Sequence, residues 1–285
     1  MTRPVRNAMT VDVEDWFQVQ AFASVIDRDA WPSLEPRVVA STELVLDRFA
    51  RAGVRATFFT LGWVAERQPH LIRRIVGAGH ELASHGFGHE RVHEIGEAAF
   101  RTDIRRSKQV LEDVSGSAVH GYRAPTFSIS QQHTPWAHQV LAEEGYLYSS
   151  SVFPIAHDLY GSADAPCLPH RPSANGVVEL PMTTLRAFGR NLPVSGGGCF
   201  RLLPYSLFRS GLRRVNGAMG RSGIFYFHPW ELDAGQPRVR EASLRSRLRH
   251  YTGIASMPRR LDQLLRDFSW ERMSVVHADA IGAGA

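Results

Sequence analysis

Residues 8–16 read AMTVDVEDW: an apolar run that ends in three acids within four positions, Asp12, Glu14 and Asp15. On a strand, Asp12 and Glu14 point to one side, and Asp15 begins the following loop. Acids at the end of a buried run are hard to explain as core. They suggest the rim of a pocket, with one carboxylate free to move a proton and another to hold a metal ion.

Working outward, the same arrangement recurs. A short apolar run ends at SHGFGH (84–89), with His85 and His89 four apart, and IFYF (224–227) is followed by His228 in FHPWE (227–231). GYRAPTF (121–127) places Arg123 at another such end. Gly86 and Gly88 argue against a helix through the histidine pair. Gly86 also stands where the zinc-protease pattern requires Glu. Two imidazoles on a tight loop still suit one metal ion if a carboxylate joins them. His228, with a reference pKa near 6.5, suits proton donation. A guanidinium such as Arg123 forks onto a carboxylate and keeps it ionised.

Between these motifs, strands expected at 8–13, 56–61, 80–84, 119–123, 146–150, 177–180, 224–228 and 273–276 alternate with helices expected at 37–52, 69–78, 98–114, 135–144, 205–219, 241–251 and 258–268. Gly53 is the expected stop of the first helix. The alternation implies parallel pairing and a right-handed wind. Seven or eight such units suggest an irregular α/β barrel, whose active site lies at the C-terminal strand ends, where every motif falls. Residues 151–200, rich in Pro, Gly and polar residues, read as long loops over the scaffold. A single domain is expected: a barrel core over 8–235 with a loop insertion at 151–200, and a C-terminal extension over 236–285 packed on it.

Composition sets bounds. The 285 residues are 44% hydrophobic and 21% charged, with net charge +5 and Lys108 as the only lysine. The arginines are scattered and form no stripe interleaved with aromatics, so nucleic acid is not an expected partner. Cys167 and Cys199 fit no ligand spacing and are expected to be free thiols. No apolar stretch precedes the first acids, and no run of about 18 apolar residues occurs. No transmembrane segment and a cytoplasmic location are the expectations.

Taken together, these motifs resemble the polysaccharide deacetylases, the NodB homology domain of carbohydrate esterase family 4, over residues 8–276. The order is that family's: acidic motif, His-x-x-x-His, Arg-x-Pro, then a late strand ending in His. VDVEDWF (11–17), GYRAPTFS (121–128), YLYSSSVFP (146–154), GGGCFRLLP (196–204), FYFHPWELD (225–233) and HYTGI (250–254) with RRLDQLL (259–265) are most similar to the branch found with exopolysaccharide and exosortase gene clusters.

The resemblance implies a distorted (β/α) barrel of about seven strands with C-terminal helices, a divalent metal, zinc in most cases, and hydrolysis of an N-acetyl or O-acetyl group on a sugar. It makes His85 and His89 metal ligands, His228 the general acid and Arg123 the partner of the catalytic carboxylate. The family's adjacent aspartates are replaced here by Asp-Val-Glu-Asp, which leaves two alignments. The reading adopted has Asp12 as base and Asp15 as third metal ligand; the other makes Glu14 the base, and Glu14 also stands as a candidate ligand. Trp16, Tyr122, Pro125, Phe127 and Trp230 are expected to contact the sugar, with an oxyanion donor near Tyr122–Arg123. The implied partner is an acetylated amino-sugar polysaccharide or oligosaccharide, with peripheral association to an exopolysaccharide assembly system. A cyclic amide or ureide hydrolase and a non-catalytic carbohydrate-binding relative are the alternatives.

Overall fold

The computed structural model describes residues 5–157 and 160–282. Ten strands are present among them: β1 (Arg6–Val13), β2 (Thr57–Thr60), β3 (Glu81–Ser84), β4 (Gly121–Tyr122), β5 (Tyr148–Ser149), β6 (Val178–Glu179), β7 (Thr184–Ala187), β8 (Arg190–Pro193), β9 (Ile224–Phe227) and β10 (Ser269–Glu271). The helices are α1 (Val38–Ala52), α2 (Gly62–Arg67), α3 (Pro69–Gly77), α4 (Val92–Ser115), α5 (Ala137–Glu143), α6 (Gly197–Leu202), α7 (Tyr205–Asn216), α8 (Leu244–Tyr251), α9 (Met257–Asp267), α10 (Met273–Val276) and α11 (Ala278–Gly282).

Eight strands form one parallel sheet in the order β10-β1-β2-β3-β4-β5-β6, with β9 also on β1. Along β1 the first residues pair with β10 and the next with β9, while the other edge pairs with β2. The sheet curls into a half-barrel, and no ladder joins β6 to β9 among the described residues. This is the distorted barrel expected from the alternation of strands and helices.

Strand parity sorts the side chains. Met9, Val11, Val13, Phe58, Phe225 and Phe227 face outward and join helix residues such as Leu46, Phe49, Leu212, Leu261 and Leu264 in the largest core cluster. Ala8, Phe59, Ala83, Tyr148, Leu180 and Tyr226 belong to a separate interior cluster. Thr10 and Asp12 share the parity of Ala8, so β1 carries an inward set that turns polar toward its C-terminal end.

Three local expectations are corrected. The last strand is Ser269–Glu271, and residues 273–276, expected as a strand, are helix α10. Ser269, Trp270 and Glu271 are the residues that pair with Arg6, Asn7 and Ala8. Met273 then turns into the interior cluster, its N–H donating to Thr57 Oγ1. The insertion at 151–200 is not loop throughout: β7 and β8 form an antiparallel hairpin, whose tip, Phe188 and Gly189, takes φ of 52° and 73°, the mirror-image turn that hairpins favour. Helix α4 starts at Val92 rather than 98, with a break at Gly96.

Candidate active site

The four functional segments emerge at the same edge of the sheet, as the residues after β1, β3, β4 and β9. Parity decides which side chains look into the barrel mouth. Asp12 and Glu14 continue the inward set of β1. Both are about 2% exposed and line one cleft with His85, His89 and His228.

Asp12 accepts a hydrogen bond from Arg123 Nη1 at 2.6 Å. Arg123 is fully buried and otherwise held by Thr10 Oγ1 and by the carbonyl and hydroxyl of Ser150. Its guanidinium also lies 4.0 Å from the Phe59 ring centroid. A charge this deep is tolerated because a carboxylate and several acceptors surround it.

His85 donates from Nδ1 to the Arg123 carbonyl at 2.8 Å, which leaves Nε2 as the lone-pair nitrogen facing the cleft. Burial pushes its pKa down to about 4, so the ring is neutral, as a metal ligand must be. The loop to His89 is shaped by Gly86 at φ 76° and by the Asp103 carboxylate, which accepts the N–H groups of Phe87 and Gly88. His89 itself sits at φ 55°, and Thr126 and Phe127 across the cleft also have positive φ. Strained backbone of this kind persists where the surroundings over-determine it.

Glu14, His85 and His89 each offer a ligand atom, all within 4.8 Å of one another. Glu14 Oε2 lies 2.8 Å from His89 Nε2 and yet makes no hydrogen bond. Two such atoms in contact but not aligned on each other suit donors converging on a common ion, and a carboxylate with two imidazoles is a fitting set for a divalent cation. Burial opposes charge on Glu14, but His89, His228 and His85 hold its pKa down at about 2. Trp230 Nε1 steadies the other oxygen at 3.3 Å.

Asp15, the expected third ligand, is elsewhere. It has the opposite parity, and its carboxylate accepts the N–H groups of Trp16, Arg37 and Val38 at 2.8, 2.8 and 2.9 Å, capping the start of α1. Burial pushes its pKa up to about 6 against those bonds. The structure therefore groups Glu14, not Asp15, with the histidines.

His228 faces Glu14 Oε1 from Nε2 at 3.4 Å and donates from Nδ1 to Glu231 Oε1 at 2.9 Å. Burial disfavours its imidazolium, but Glu14 and Glu231 push the pKa up to about 9, so the ring carries a proton at neutral pH. Glu231 is buried, and Arg201 bonds its other oxygen at 2.6 Å. Burial alone would raise Glu231; Arg201 and His228 hold it at about 2. Trp230 stacks between His228 and His250, at centroid distances of 5.1 and 4.1 Å.

Of the expected sugar-contacting residues, Phe127 and Trp230 line the cleft; Trp16, Tyr122 and Pro125 do not. Trp16 packs among Phe17, Trp31 and Trp63, donating to the Glu35 carbonyl. Tyr122 faces outward against Phe100 and Tyr146, because Arg123 takes the inward parity. Pro125 is buried beneath Gly86. Glu231, Arg201 and His250 were missed. Glu231 had a signal in FHPWE, three residues after the histidine at capping-box spacing. The GGG at 196–198 had another: a Cβ on Gly197 would lie 2.1 Å from Glu231 Oε1.

The fold and this site define a parallel half-barrel with a carboxylate–histidine metal-type cluster, a separate carboxylate paired with an arginine and a histidine held by a second carboxylate. Comparison with known proteins agrees. Residues 29–147 match the model of the polysaccharide deacetylase family, and residues 150–278 match a domain of unknown function, DUF3473. Over residues 29–147 the chain is thus similar to the polysaccharide deacetylases. It is 31% identical over 96 residues to a peptidoglycan-N-acetylglucosamine deacetylase of Bacillus cereus, covering 34% of this chain and 35% of that one. It is 45% identical over 71 residues to a chitooligosaccharide deacetylase of Sinorhizobium fredii, covering 25% and 30%. Each match therefore spans about a third of the relative's length. Among solved structures, a provisionally assigned polysaccharide deacetylase from Mycobacterium smegmatis superposes with a TM-score of 0.62 at 24% identity, over 98% of this chain and 91% of that one.

Proposed function

We propose that this protein is a metal-dependent hydrolase that removes acetyl groups, N-acetyl foremost, from a sugar unit of an exopolysaccharide or its precursor. One observation carries the reading: a buried Asp12–Arg123 pair, the Glu14–His85–His89 cluster and His228 all converge on one cleft. The relatives above are named a peptidoglycan-N-acetylglucosamine deacetylase and a chitooligosaccharide deacetylase, so N-acetylglucosamine oligomers are the first substrates to test.

Glu14, His85 and His89 would hold the ion, with Zn2+ as the expected metal. When bound, such an ion supplies a Lewis acid for the acetyl carbonyl and acidifies water. Asp12, oriented by its hydrogen bond from Arg123, takes the proton of the attacking water. His228 gives its Nε2 proton to the departing sugar amine, and Glu231 fixes its ring through Nδ1. The products are acetate and a free amino sugar. Phe127 and Trp230 offer apolar walls to the sugar. A cytoplasmic location and peripheral association with an exopolysaccharide assembly system belong to the same proposal, supported by the sequence markers of that branch.

The test measures metal content and acetate release from N-acetylated oligosaccharides, beside ring opening of cyclic ureides. H85A and H89A should lose metal and activity together. A His228 variant should keep metal while turnover falls. Full activity after stringent chelation, or ring opening without acetate release, overturns the proposal.

A further inference from the structure

Helix α8 turns its apolar residues away from the protein. Residues 243–251 read SLRSRLRHY, with Ser243 as the N-cap. The inward side is fixed by His250, which is buried, stacks on Trp230 at 4.1 Å and lies 4.5 Å from the Phe22 ring. Leu248 precedes His250 by two positions, about 200° around a helix, and Leu244 lies one turn before Leu248. Both therefore face outward, and they are 58% and 68% exposed. A surface helix ordinarily directs such a pair to the core. One exposed leucine is common, but two stacked on one face form a patch. Helix α6 ends at Leu202, which is 56% exposed. The residue before it, Arg201, donates to the carbonyls of Arg249, His250 and Thr252, which fastens the two helix ends together.

The charges around this face are of one sign. Arg247 stands about 60° to one side of Leu244 and Arg245 about 100° to the other. Helix α8 contains no acid. Residues 238–249 hold five arginines and one acid, Glu241, against a formal net charge of +5 for the whole chain, so this stretch carries most of the excess. Arg249 and His250 also line the catalytic cleft, so the face borders its mouth.

That combination selects one kind of occupant. A second copy of the chain would set these arginines against their own kind, since a two-fold contact pairs one patch with itself. The core of a protein–protein interface is depleted of charge, whereas here arginines and leucines alternate. An anionic bilayer surface suits both. Leucines enter the boundary between headgroups and acyl chains, while arginine stems lie along it and their guanidinium groups reach lipid phosphates. Among the described residues no helix is long and apolar enough to cross a membrane, so the contact is with the surface.

We propose that α8, through Leu244, Leu248, Arg245 and Arg247, docks the protein on an anionic lipid surface, with the catalytic cleft at the lipid boundary. This docking is independent of the deacetylase reading, since binding is measured without substrate. The full chain is sedimented with vesicles of phosphatidylglycerol and phosphatidylcholine in equal parts, and with phosphatidylcholine alone. Wild type should bind the anionic vesicles at least about tenfold more tightly. Raising the salt should release it, as the screening length falls from about 8 Å to about 3 Å. Arg247→Gln should weaken binding about fivefold, the worth of one basic residue near such a surface. Leu244→Ser combined with Leu248→Ser should weaken it about tenfold or more, since apolar area then stays out of the bilayer. Both leucines are exposed, so thermal unfolding of that variant should match wild type. In wild type alone, hydrogen exchange of the amides in 244–251 should slow when anionic vesicles are added. Absence of vesicle binding, equal binding to both vesicle kinds, or anionic binding that the leucine variant retains in full overturns the proposal. So does vesicle binding that leaves exchange in α8 unchanged.

Discussion

Replacing Asp15 by Ala and, separately, Glu14 by Gln distinguishes the two acids that adjoin in sequence and part in space. Asp15 accepts three backbone N–H groups, those of Trp16, Arg37 and Val38. Leaving each without its acceptor costs about 2 kcal/mol, or about 6 in all. The Asp15 carboxyl is itself opposed by burial, with its pKa near 6 against an ordinary 3.8, so its removal recovers about 3 kcal/mol at neutral pH. The net loss is about 3 kcal/mol, equivalent to a fall of about 6–12 °C in Tm for a chain of this size class. Thermal unfolding in chelator and in excess Zn2+ reads both roles at once. The D15A variant should unfold earlier in chelator and retain the wild-type gain in Tm on adding zinc, because a ligand that binds only the folded state stabilises it. The E14Q variant should lose that gain. A D15A protein with wild-type Tm in chelator and no response to zinc would refute the assignment and return Asp15 to the metal.

The pH dependence of stability has a separate source in His80, whose Nδ1 accepts the Ala56 N–H at 3.1 Å. Burial, then Arg272 and its neighbours, lower its pKa to about 4. The unfolded chain binds the extra proton first, so its contribution of about 3 kcal/mol is present above about pH 6.5 and is lost as pH falls through about 4. Denaturant unfolding of wild type and H80Q across that window should show the slope flatten in the variant; an unchanged slope counts against it. Arg123→Met leaves the buried Asp12 charge without its partner and should cost about 3–5 kcal/mol by chemical denaturation; a loss below about 1 kcal/mol contradicts the pairing. Glu231→Gln should lower kcat about tenfold to hundredfold with metal content unchanged, since the charge that helps His228 hold its proton is lost. Gly197→Ala should act alike, its Cβ displacing the Glu231 carboxylate; normal turnover in either variant removes Glu231 from the positioning role.

Much was legible in sequence because periodicity is a local signal. The alternation of apolar runs and amphipathic stretches reports a parallel α/β fold, and Gly53, at φ 63°, stops α1 where a left-handed residue is needed. The placement of His85, His89, Arg123 and His228 just beyond strand ends follows from the same reading. Short strands in irregular surroundings were harder: β7 and β8 are four residues each, partly exposed, and set by a turn at Phe188–Gly189 rather than by an apolar pattern. Around the last strand, Trp270 and Met273 are both buried, so hydrophobicity does not say which of them pairs with β1.

The sequence by itself determined the class of scaffold, the edge of the sheet that carries chemistry and the residue types available there. Only the tertiary structure decided which acid does what, because Asp12, Glu14 and Asp15 have the same chemistry and differ in direction. Strand parity sends the first two into the barrel mouth, where Arg123 meets Asp12 and two histidines meet Glu14. It sends Asp15 outward to the first N–H groups of α1. Arg201, thirty residues before Glu231, likewise becomes the partner of that carboxylate only when α6 folds onto the rim beside the segment after β9.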